Sequence, residues 1–259
     1  MLEVNDLYLT KSTTKNTPIY RYKASLAQVF PTRLRSSLSE YHTCVFGISL
    51  GSKNFVKRER LEACIKWISA NFPSCLVLVC DSIYRLTIEV REGVKEEGAW
   101  LEALRAGEEF VKENYELFEQ YSERCKFKFE MASEIAKQSE FNRYYQELQT
   151  LHSNNESFQR MVNSFAQKYL NRGEGEQLET EPVDEHRQHL ELTLAITYLL
   201  EESALIAYFI NEGWQVFVYP GSIKTFEEMS EGLHPEIPEP LKKMIWVSLR
   251  LKKCGAISE

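Results

Sequence analysis

A continuous apolar run, CLVLVCD at positions 75–81, constrains the fold of this chain more than any other feature. Polar and apolar residues do not alternate in this run, and it ends in an acid. A strand of this kind is buried on both faces, as in the centre of a parallel sheet that is covered by helices. A second buried strand is predicted at 44–48, where the sequence is also apolar.

Strand-like and helix-like segments alternate along the rest of the chain. A helical pattern follows the strand at 44–48 and ends near Phe72-Pro73, and a long charged segment covers 94–122. Further strands are predicted at 125–129, 214–220 and 245–251, and further helices over about 132–150, 155–170 and 184–210. This strand–helix–strand rhythm predicts a three-layer α/β fold with a mostly parallel central sheet.

The length and composition are those of one globular unit. With 259 residues, of which 43% are hydrophobic, the chain can bury one large core. We therefore predict a single domain over 1–259, in which 1–40 is an N-terminal extension of uncertain order, and we read the polar segment 171–185 as a loop.

No apolar run approaches the roughly 20 residues that span a bilayer, and the N-terminus has no signal-peptide pattern. The predicted location is the cytoplasm, away from membranes.

Cysteine and histidine spacing gives no sign of a metal site. The six cysteines include no Cys-x-x-Cys pair, and the five histidines have no ligand spacing, which predicts reduced thiols and no bound metal.

The net charge of -7 means that the protein as a whole does not attract nucleic acid. Any contact with nucleic acid has to come from a local basic patch.

Three polar residues lie at the ends of predicted strands, where α/β proteins bind their ligands. They are Ser49, Asp81 and Tyr219. Ser49 lies in GISLGSKNF, 47–55, which contains neither a phosphate-binding loop nor a dinucleotide fingerprint but does contain Gly-x-Ser-x-Gly. That pattern forms the nucleophile elbow of serine hydrolases. A hydrolase that uses Ser49 and His234 is therefore one open reading, and a chance match is another.

A second candidate group lies in the apolar helical segment TYLLEESALIAYFI, 197–210. Tyr198 and Glu202 are four residues apart and share one helix face. A phenol and a carboxylate in this arrangement can hold an ammonium group and relay a proton. Glu201 is adjacent, so spacing alone leaves open which of the two acids faces inward.

Taken together, these blocks resemble the signatures of the cyclodipeptide synthases. HTCVFGISLGSKNF, 42–55, is similar to the first signature, which has a histidine, an apolar strand, Gly-hydrophobic-Ser and an aromatic residue six positions after the serine. YLLEE, 198–202, resembles the second, and its spacing selects Glu202 rather than Glu201. Val218-Tyr219-Pro220 resembles the third. The resemblance covers roughly 40–250, and Ser52 with Tyr219-Pro220 places the chain in the family's second subgroup. Ala204 is a departure, because the family often has proline there.

The resemblance implies a Rossmann-like domain related to the catalytic domain of class I tyrosyl- and tryptophanyl-tRNA synthetases. It also implies an ATP-independent transferase without a cofactor, which joins the amino acids of two aminoacyl-tRNAs, used in succession, into a 2,5-diketopiperazine. Ser49 would carry aminoacyl and dipeptidyl esters in a ping-pong reaction. Tyr198, Glu202 and Tyr219 would bind the amine and move protons, and the residues placed at the substrate are Gly47, Ser52, Asp81, Phe141 and Asn171.

The transfer RNA partner requires positive charge. Family members carry a basic helix after the second strand, and the matching residues here are Arg91, Lys95, Arg105 and Lys112, which share one arc if a continuous helix holds them. Glutamates share that arc, so the basic groups at 53–60, 242–243 and 252–253 are alternatives. The resemblance further implies a monomer. A tRNA-binding module without chemistry is the remaining alternative.

Overall fold

The computed structural model describes residues 20–171 and 185–256, which form one six-stranded sheet with helices on both faces. The strands are β1 (Tyr20–Phe30), β2 (Thr43–Ile48), β3 (Ser74–Val79), β4 (Lys126–Met131), β5 (Val216–Pro220) and β6 (Ile245–Ala256). The helices are α1 (Lys53–Val56), α2 (Arg58–Asn71), α3 (Asp81–Glu92), α4 (Glu96–Glu119), α5 (Ala132–Ile135), α6 (Ser139–Asn154), α7 (Glu156–Asn171), α8 (Glu185–Asn211) and α9 (Lys224–Ser230).

The strands follow the order β1-β6-β5-β2-β3-β4 across the sheet. All neighbours pair in parallel except β1, which lies antiparallel to β6 at one edge. The apolar run at 75–81 forms β3 next to β2, and its five residues from Cys75 to Val79 are all buried. The predicted three-layer α/β fold with a mostly parallel sheet is therefore confirmed.

Two apolar cores cover the two faces of the sheet, because the central strands present large side chains to both sides. One core joins the sheet to α5 through α9 and includes Phe158, Leu199 and Phe226. The other joins the sheet to α2 and α4 and includes Leu61 and Phe118. Helix α8 is long and apolar enough to span a membrane, but 56% of that window is buried inside the protein. Its composition is accounted for by its packing against α3, α6 and α7.

Strand β1 lies within the segment 1–40, which was predicted as an N-terminal extension of uncertain order. Residues 20–30 form the edge strand, which pairs with β6 from Tyr20 to Phe30 with two shifts of register. Basic and aromatic residues alternate at its start, and this weakens the apolar signal of a strand. The division into domains stays a prediction.

Two predicted helical segments are interrupted in the structure. The segment 132–150 contains α5 and α6, separated by a turn at 136–138. The basic residues at 91–112 do not lie on one helix, because α3 ends at Glu92 and Gly93 caps it in the left-handed conformation (φ 66°), which glycine adopts without strain. Helix α4 begins only at Glu96. Most of the predicted loop at 171–185 lies outside the described residues.

Candidate active site

A cavity with about 480 Å³ of empty space opens at the carboxyl ends of β2, β3 and β5, next to α8. Five residues that were predicted from the sequence line it: Gly47, Ser49, Tyr198, Glu202 and Tyr219. Parallel strands β2 and β5 are direct neighbours, so the residues that follow or end them meet at one edge of the sheet. The serine, the two tyrosines and the acid are therefore brought together as the sequence predicted.

Ser49 directly follows β2 and starts a tight loop. Its carbonyl accepts a hydrogen bond from Ser52 N (3.2 Å), and the Ser52 hydroxyl caps α1 by accepting from Asn54 N (3.4 Å). Gly51 has a φ of 78°, and a Cβ built on it would lie 2.9 Å from the ring of Tyr84. This position therefore requires glycine on both conformational and steric grounds. The loop holds the Ser49 side chain at the cavity wall.

Gly47 lies two residues before Ser49, on the strand itself. A Cβ built at Gly47 would meet no atom within 4 Å, and Gly47 lines the cavity. Any side chain at this position would therefore project into the space that a ligand needs. This geometry agrees with the expectation that glycine lets a substrate approach the backbone.

Tyr198 is held by aromatic residues of α7. Its ring centroid lies 4.8 Å from that of Tyr169 and 6.2 Å from that of Phe165. Tyr169 is fixed in turn by a hydrogen bond of 2.7 Å between its hydroxyl and that of Thr87 on α3. Burial, followed by the charge of Glu202, raises the pKa of Tyr198 well above its usual value, so its phenol stays protonated and can donate a hydrogen bond.

The two adjacent glutamates of α8 have different partners. Glu201 is buried and forms a bidentate ion pair with Arg85 of α3, with N–O distances of 2.6 and 2.8 Å. Glu202 instead lines the cavity. The choice that spacing alone left open is thus resolved, because Glu201 joins two helices while Glu202 faces the cavity.

The environment of Glu202 favours its neutral form. Burial raises the pKa of its carboxyl from 4.5 to about 8. Burial disfavours the charged form of a carboxyl when no cation is near enough to offset it. A carboxyl with this pKa exchanges protons readily near neutral pH.

Glu202 should therefore make the stability of the protein depend on pH. The folded state keeps this proton up to about pH 8, whereas the unfolded chain loses it near 4.5. Stability is thus lost as the pH rises from about 4.5 to 8, on the order of 2–3 kcal/mol for this partly buried group. We expect urea unfolding to show this loss in the wild type and a smaller loss in Glu202→Gln. Equal slopes in the two proteins would contradict the raised pKa.

Aromatic residues of α1 and β6 hold the ring of Tyr219 in place. Its ring centroid lies 6.0 Å from Phe55 of α1 and 6.0 Å from Trp246 of β6. Asn54 adds a hydrogen bond of 2.8 Å from its side-chain amide to the carbonyl of Pro220. Phe55, the aromatic residue six positions after Ser49, therefore links the serine loop to the strand end that carries Tyr219.

Four other predicted substrate residues do not line this cavity. Asp81 accepts hydrogen bonds from the Ser133 backbone N (2.8 Å) and hydroxyl (2.6 Å), which ties the start of α3 to α5. Phe141 is buried in the core and stacks on Tyr145. Ser52 caps α1, and Asn171 is the exposed last residue of α7. Their contact with a substrate stays a prediction.

The four basic residues that were predicted to bind tRNA are exposed but are spread over two helices. Arg91 belongs to α3, Lys95 caps α4, and Arg105 and Lys112 lie on α4. The charge of Arg91 acts on Tyr169, whose ring lies beside that of Tyr198. Contact between these residues and RNA stays a prediction.

His234 is not among the residues that line the cavity of Ser49. Its ring nitrogens lie 3.6 Å from a carboxylate oxygen of Glu228 and 3.8 Å from one of Glu236. The structure therefore gives no support to a Ser49–His234 pair. Within residues 20–171 and 185–256, no cluster of three or more His, Cys, Asp or Glu residues could hold a metal ion.

The sequence did not identify the apolar wall of the cavity or its thiol. The wall consists of Val45, Leu78, Leu205, Ile206, Phe217, Val218 and Trp246, and Cys80 contributes a sulfur. Burial, with the charges of Glu202 and Asp81, raises the pKa of Cys80 well above its usual value, so the thiol is a poor nucleophile. In the sequence these residues look like ordinary core residues, because most of them lie within apolar strands or on the apolar helix α8.

Comparison with known proteins agrees with this geometry. The family model for cyclodipeptide synthase matches residues 30–211, which include Ser49, Tyr198 and Glu202. Comparison with curated proteins finds no match.

Three solved structures share the fold. A cyclodipeptide synthase from Fluoribacter dumoffii superposes with a TM-score of 0.74 at 24% identity, over 91% of this chain and 100% of that chain. A cyclodipeptide synthase from Candidatus Glomeribacter gigasporarum bound to Phe-tRNAPhe has a TM-score of 0.61 at 15% identity, over 84% and 90%. The tyrosyl-tRNA synthetase of Archaeoglobus fulgidus has a TM-score of 0.52 at 15% identity, over 87% and 60%.

These superpositions show that the six-stranded, mostly parallel sheet is the Rossmann-like fold that cyclodipeptide synthases share with class I tRNA synthetases. The matched family model covers well over half of the sequence. The chain belongs to the cyclodipeptide synthase family.

Proposed function

We propose that this protein makes a cyclic dipeptide from two aminoacyl-tRNAs through ester intermediates on Ser49. The observation that carries the proposal is the single cavity in which Ser49 lies with Tyr198, Glu202 and Tyr219 at the carboxyl ends of the strands. The ester of an aminoacyl-tRNA is already activated, so this serine needs no histidine partner.

In the first step, the Ser49 hydroxyl attacks the aminoacyl ester of the first tRNA. A new ester forms on Ser49 Oγ, and the bond to the ribose oxygen of the tRNA breaks. The serine proton ends on that ribose hydroxyl, and Tyr219 relays it. The backbone N–H groups that follow Ser49, at Leu50 and Gly51, are the candidate donors to the developing oxyanion.

In the second step, the amine of the aminoacyl group on Ser49 attacks the ester of the second aminoacyl-tRNA. A peptide bond forms, the bond to the ribose oxygen of that tRNA breaks, and the dipeptidyl group stays esterified to Ser49. The attacking amine has to lose a proton before it becomes a nucleophile. The pKa of Glu202, about 8, matches that of an α-amino group, which is about 7.7–8.0, so a proton can pass between them with little cost. The resulting dipeptidyl ester is then attacked by its own free amine, which closes the ring and releases Ser49.

Tyr198 and Glu202 would also orient the first aminoacyl group by hydrogen bonds to its amine. The apolar wall favours an apolar side chain on the first amino acid, since Leu205, Phe217 and Trp246 offer no hydrogen-bonding group except the indole N–H. We further propose that the enzyme works as a cytoplasmic monomer, without ATP or a cofactor. Arg91, Lys95, Arg105 and Lys112 remain candidates for contacts with tRNA.

The test is to supply the purified protein with a mixture of aminoacyl-tRNAs in the absence of ATP and to search for diketopiperazines by mass spectrometry. Product that depends on the charged tRNA is the expected result. Binding of tRNA without any product would favour the non-catalytic module. Hydrolysis of a p-nitrophenyl ester that is lost in His234→Ala, again without cyclic product, would favour the hydrolase.

A further inference from the structure

The end of the sheet next to the cavity carries a basic two-stranded extension. Strand β5 stops at Pro220, opposite Leu249, but β6 continues for seven residues to Ala256 and remains paired with β1. At roughly 3.4 Å per residue, this extension projects about 24 Å beyond β5 at the carboxyl edge of the sheet. We name this extension, residues 20–25 and 250–256, the β-arm.

All the charged residues of β1 and β6 lie on the β-arm, and all are basic. They are Arg21, Lys23, Arg250, Lys252 and Lys253, and each is exposed. The same two strands contain no aspartate or glutamate. By contrast, α4 carries eight glutamates and only two basic residues, Arg105 and Lys112. The positive charge that an RNA backbone requires is therefore on the β-arm rather than on α4.

The basic residues of the β-arm repel one another, which lowers the stability of the folded chain. Lys23 lies directly opposite Lys252, and Ser25 lies opposite Arg250, so Lys23, Lys252 and Arg250 share one face of the ribbon. Like charges that face each other across antiparallel strands destabilise the pair. A polyanion lying along this face would remove the repulsion.

A groove leads from the base of the β-arm to the catalytic strand end. It contains about 810 Å³ of empty space, part of which is open to solvent, and its lining includes Arg250, Arg60 and Pro220. Arg60 donates to the side-chain oxygen of Asn54 (2.8 Å), and Asn54 donates to the carbonyl of Pro220 (2.8 Å). Pro220 is adjacent to Tyr219, which lines the catalytic cavity, so the groove and the cavity lie on either side of one short segment.

We propose that the β-arm and this groove form the main RNA-binding surface, with the β-arm against the phosphates of the acceptor stem and the groove holding the single-stranded 3′ end. The inference rests on the proposed function, which makes aminoacyl-tRNA the substrate. The face formed by Lys23, Lys252 and Arg250 supplies the phosphate contacts. Arg60 and Asn54 couple an occupied groove to the position of Tyr219.

The test compares three triple or double variants for binding of 5′-labelled deacylated bulk tRNA at several salt concentrations. The first is Lys23→Ala/Arg250→Ala/Lys252→Ala on the β-arm. The second, Arg105→Ala/Lys112→Ala, represents the competing surface on α4. The third, Lys137→Ala/Arg143→Ala/Arg160→Ala, removes the same net charge from exposed positions on and beside α6 and α7.

We expect the β-arm variant to bind tRNA at least about tenfold more weakly, and its slope of log affinity against log salt to fall by about two to three. The charge-matched variant should bind like the wild type. Because the β-arm side chains are exposed and their mutual repulsion is removed, the melting temperature of that variant should not fall. Wild-type affinity and slope in the β-arm variant would overturn the proposal, and so would a larger loss in the α4 variant.

Failure of this inference can be told apart from failure of the proposed function by assaying the wild type for diketopiperazine. Product formation together with tRNA binding that does not depend on the β-arm would overturn the surface alone. Binding of tRNA that depends on the β-arm, with no product from any mixture of aminoacyl-tRNAs, would overturn the function and support the surface.

Discussion

Replacing Ser49 with alanine is expected to lower cyclic dipeptide formation by at least about 10³-fold, because no other group in the cavity is suited to carry the acyl chain. The covalent aminoacyl-enzyme should disappear with it. The measurement is mass spectrometry of the intact protein after incubation with aminoacyl-tRNA, alongside the assay for diketopiperazine. The cavity wall should otherwise be unchanged, since Ser49 Oγ does not hold the loop, which is fixed through backbone groups and the Ser52 cap.

Cys80 provides the matched control for this experiment, because its thiol is the other nucleophilic side chain that lines the cavity. Its raised pKa keeps it protonated. Cys80→Ala should therefore retain the covalent intermediate and form product. An acyl group that persists in Ser49→Ala and is lost in Cys80→Ala would show that the thiol is the nucleophile and that the assignment of Ser49 is wrong.

The four polar residues that share the cavity were predictable from the sequence because each has a local signature. Ser49 follows an apolar strand, Tyr198 and Glu202 share a helix face, and Tyr219 precedes the proline that ends a strand. Such features depend on neighbours within a few residues, and the strand order then places them at one edge. The apolar run at 75–81 predicted its central strand for the same reason.

The parts that were missed depend on contacts between distant segments. Strand β1 is recognisable only through its partner β6, since its alternating basic and aromatic residues are also compatible with an exposed tail. The role of Glu201 could be recognised only from its contact with Arg85, which lies 116 residues away in the sequence. Trp246 and Cys80 look like core residues until the cavity is seen. The basic residues at 91–112 would share one arc only on a continuous helix, and α3 ends at Glu92 before Gly93.

The two adjacent glutamates of α8 allow a loss of catalytic rate to be distinguished from a loss of folding stability. Glu202→Gln is expected to slow product formation by about 10²–10⁴-fold, because the amide cannot accept the proton of the attacking amine on the Ser49-bound aminoacyl group. The acyl transfer to Ser49 does not need that proton acceptor, so the aminoacyl-enzyme should still form and should accumulate. Time courses of the intact-protein mass and of the diketopiperazine measure the two steps separately.

Glu201→Gln should lower the stability of the protein but leave the reaction itself intact. This change breaks a buried bidentate ion pair with Arg85, in which each side chain is only about an eighth exposed, and should lower the free energy of unfolding by about 2 kcal/mol or more. Its carboxyl does not line the cavity, so the folded fraction should still make the cyclic product. If Glu201→Gln accumulated aminoacyl-enzyme while Glu202→Gln turned over normally, proton acceptance by Glu202 would be wrong, and the acid that faces Arg85 would have to be the one that activates the amine.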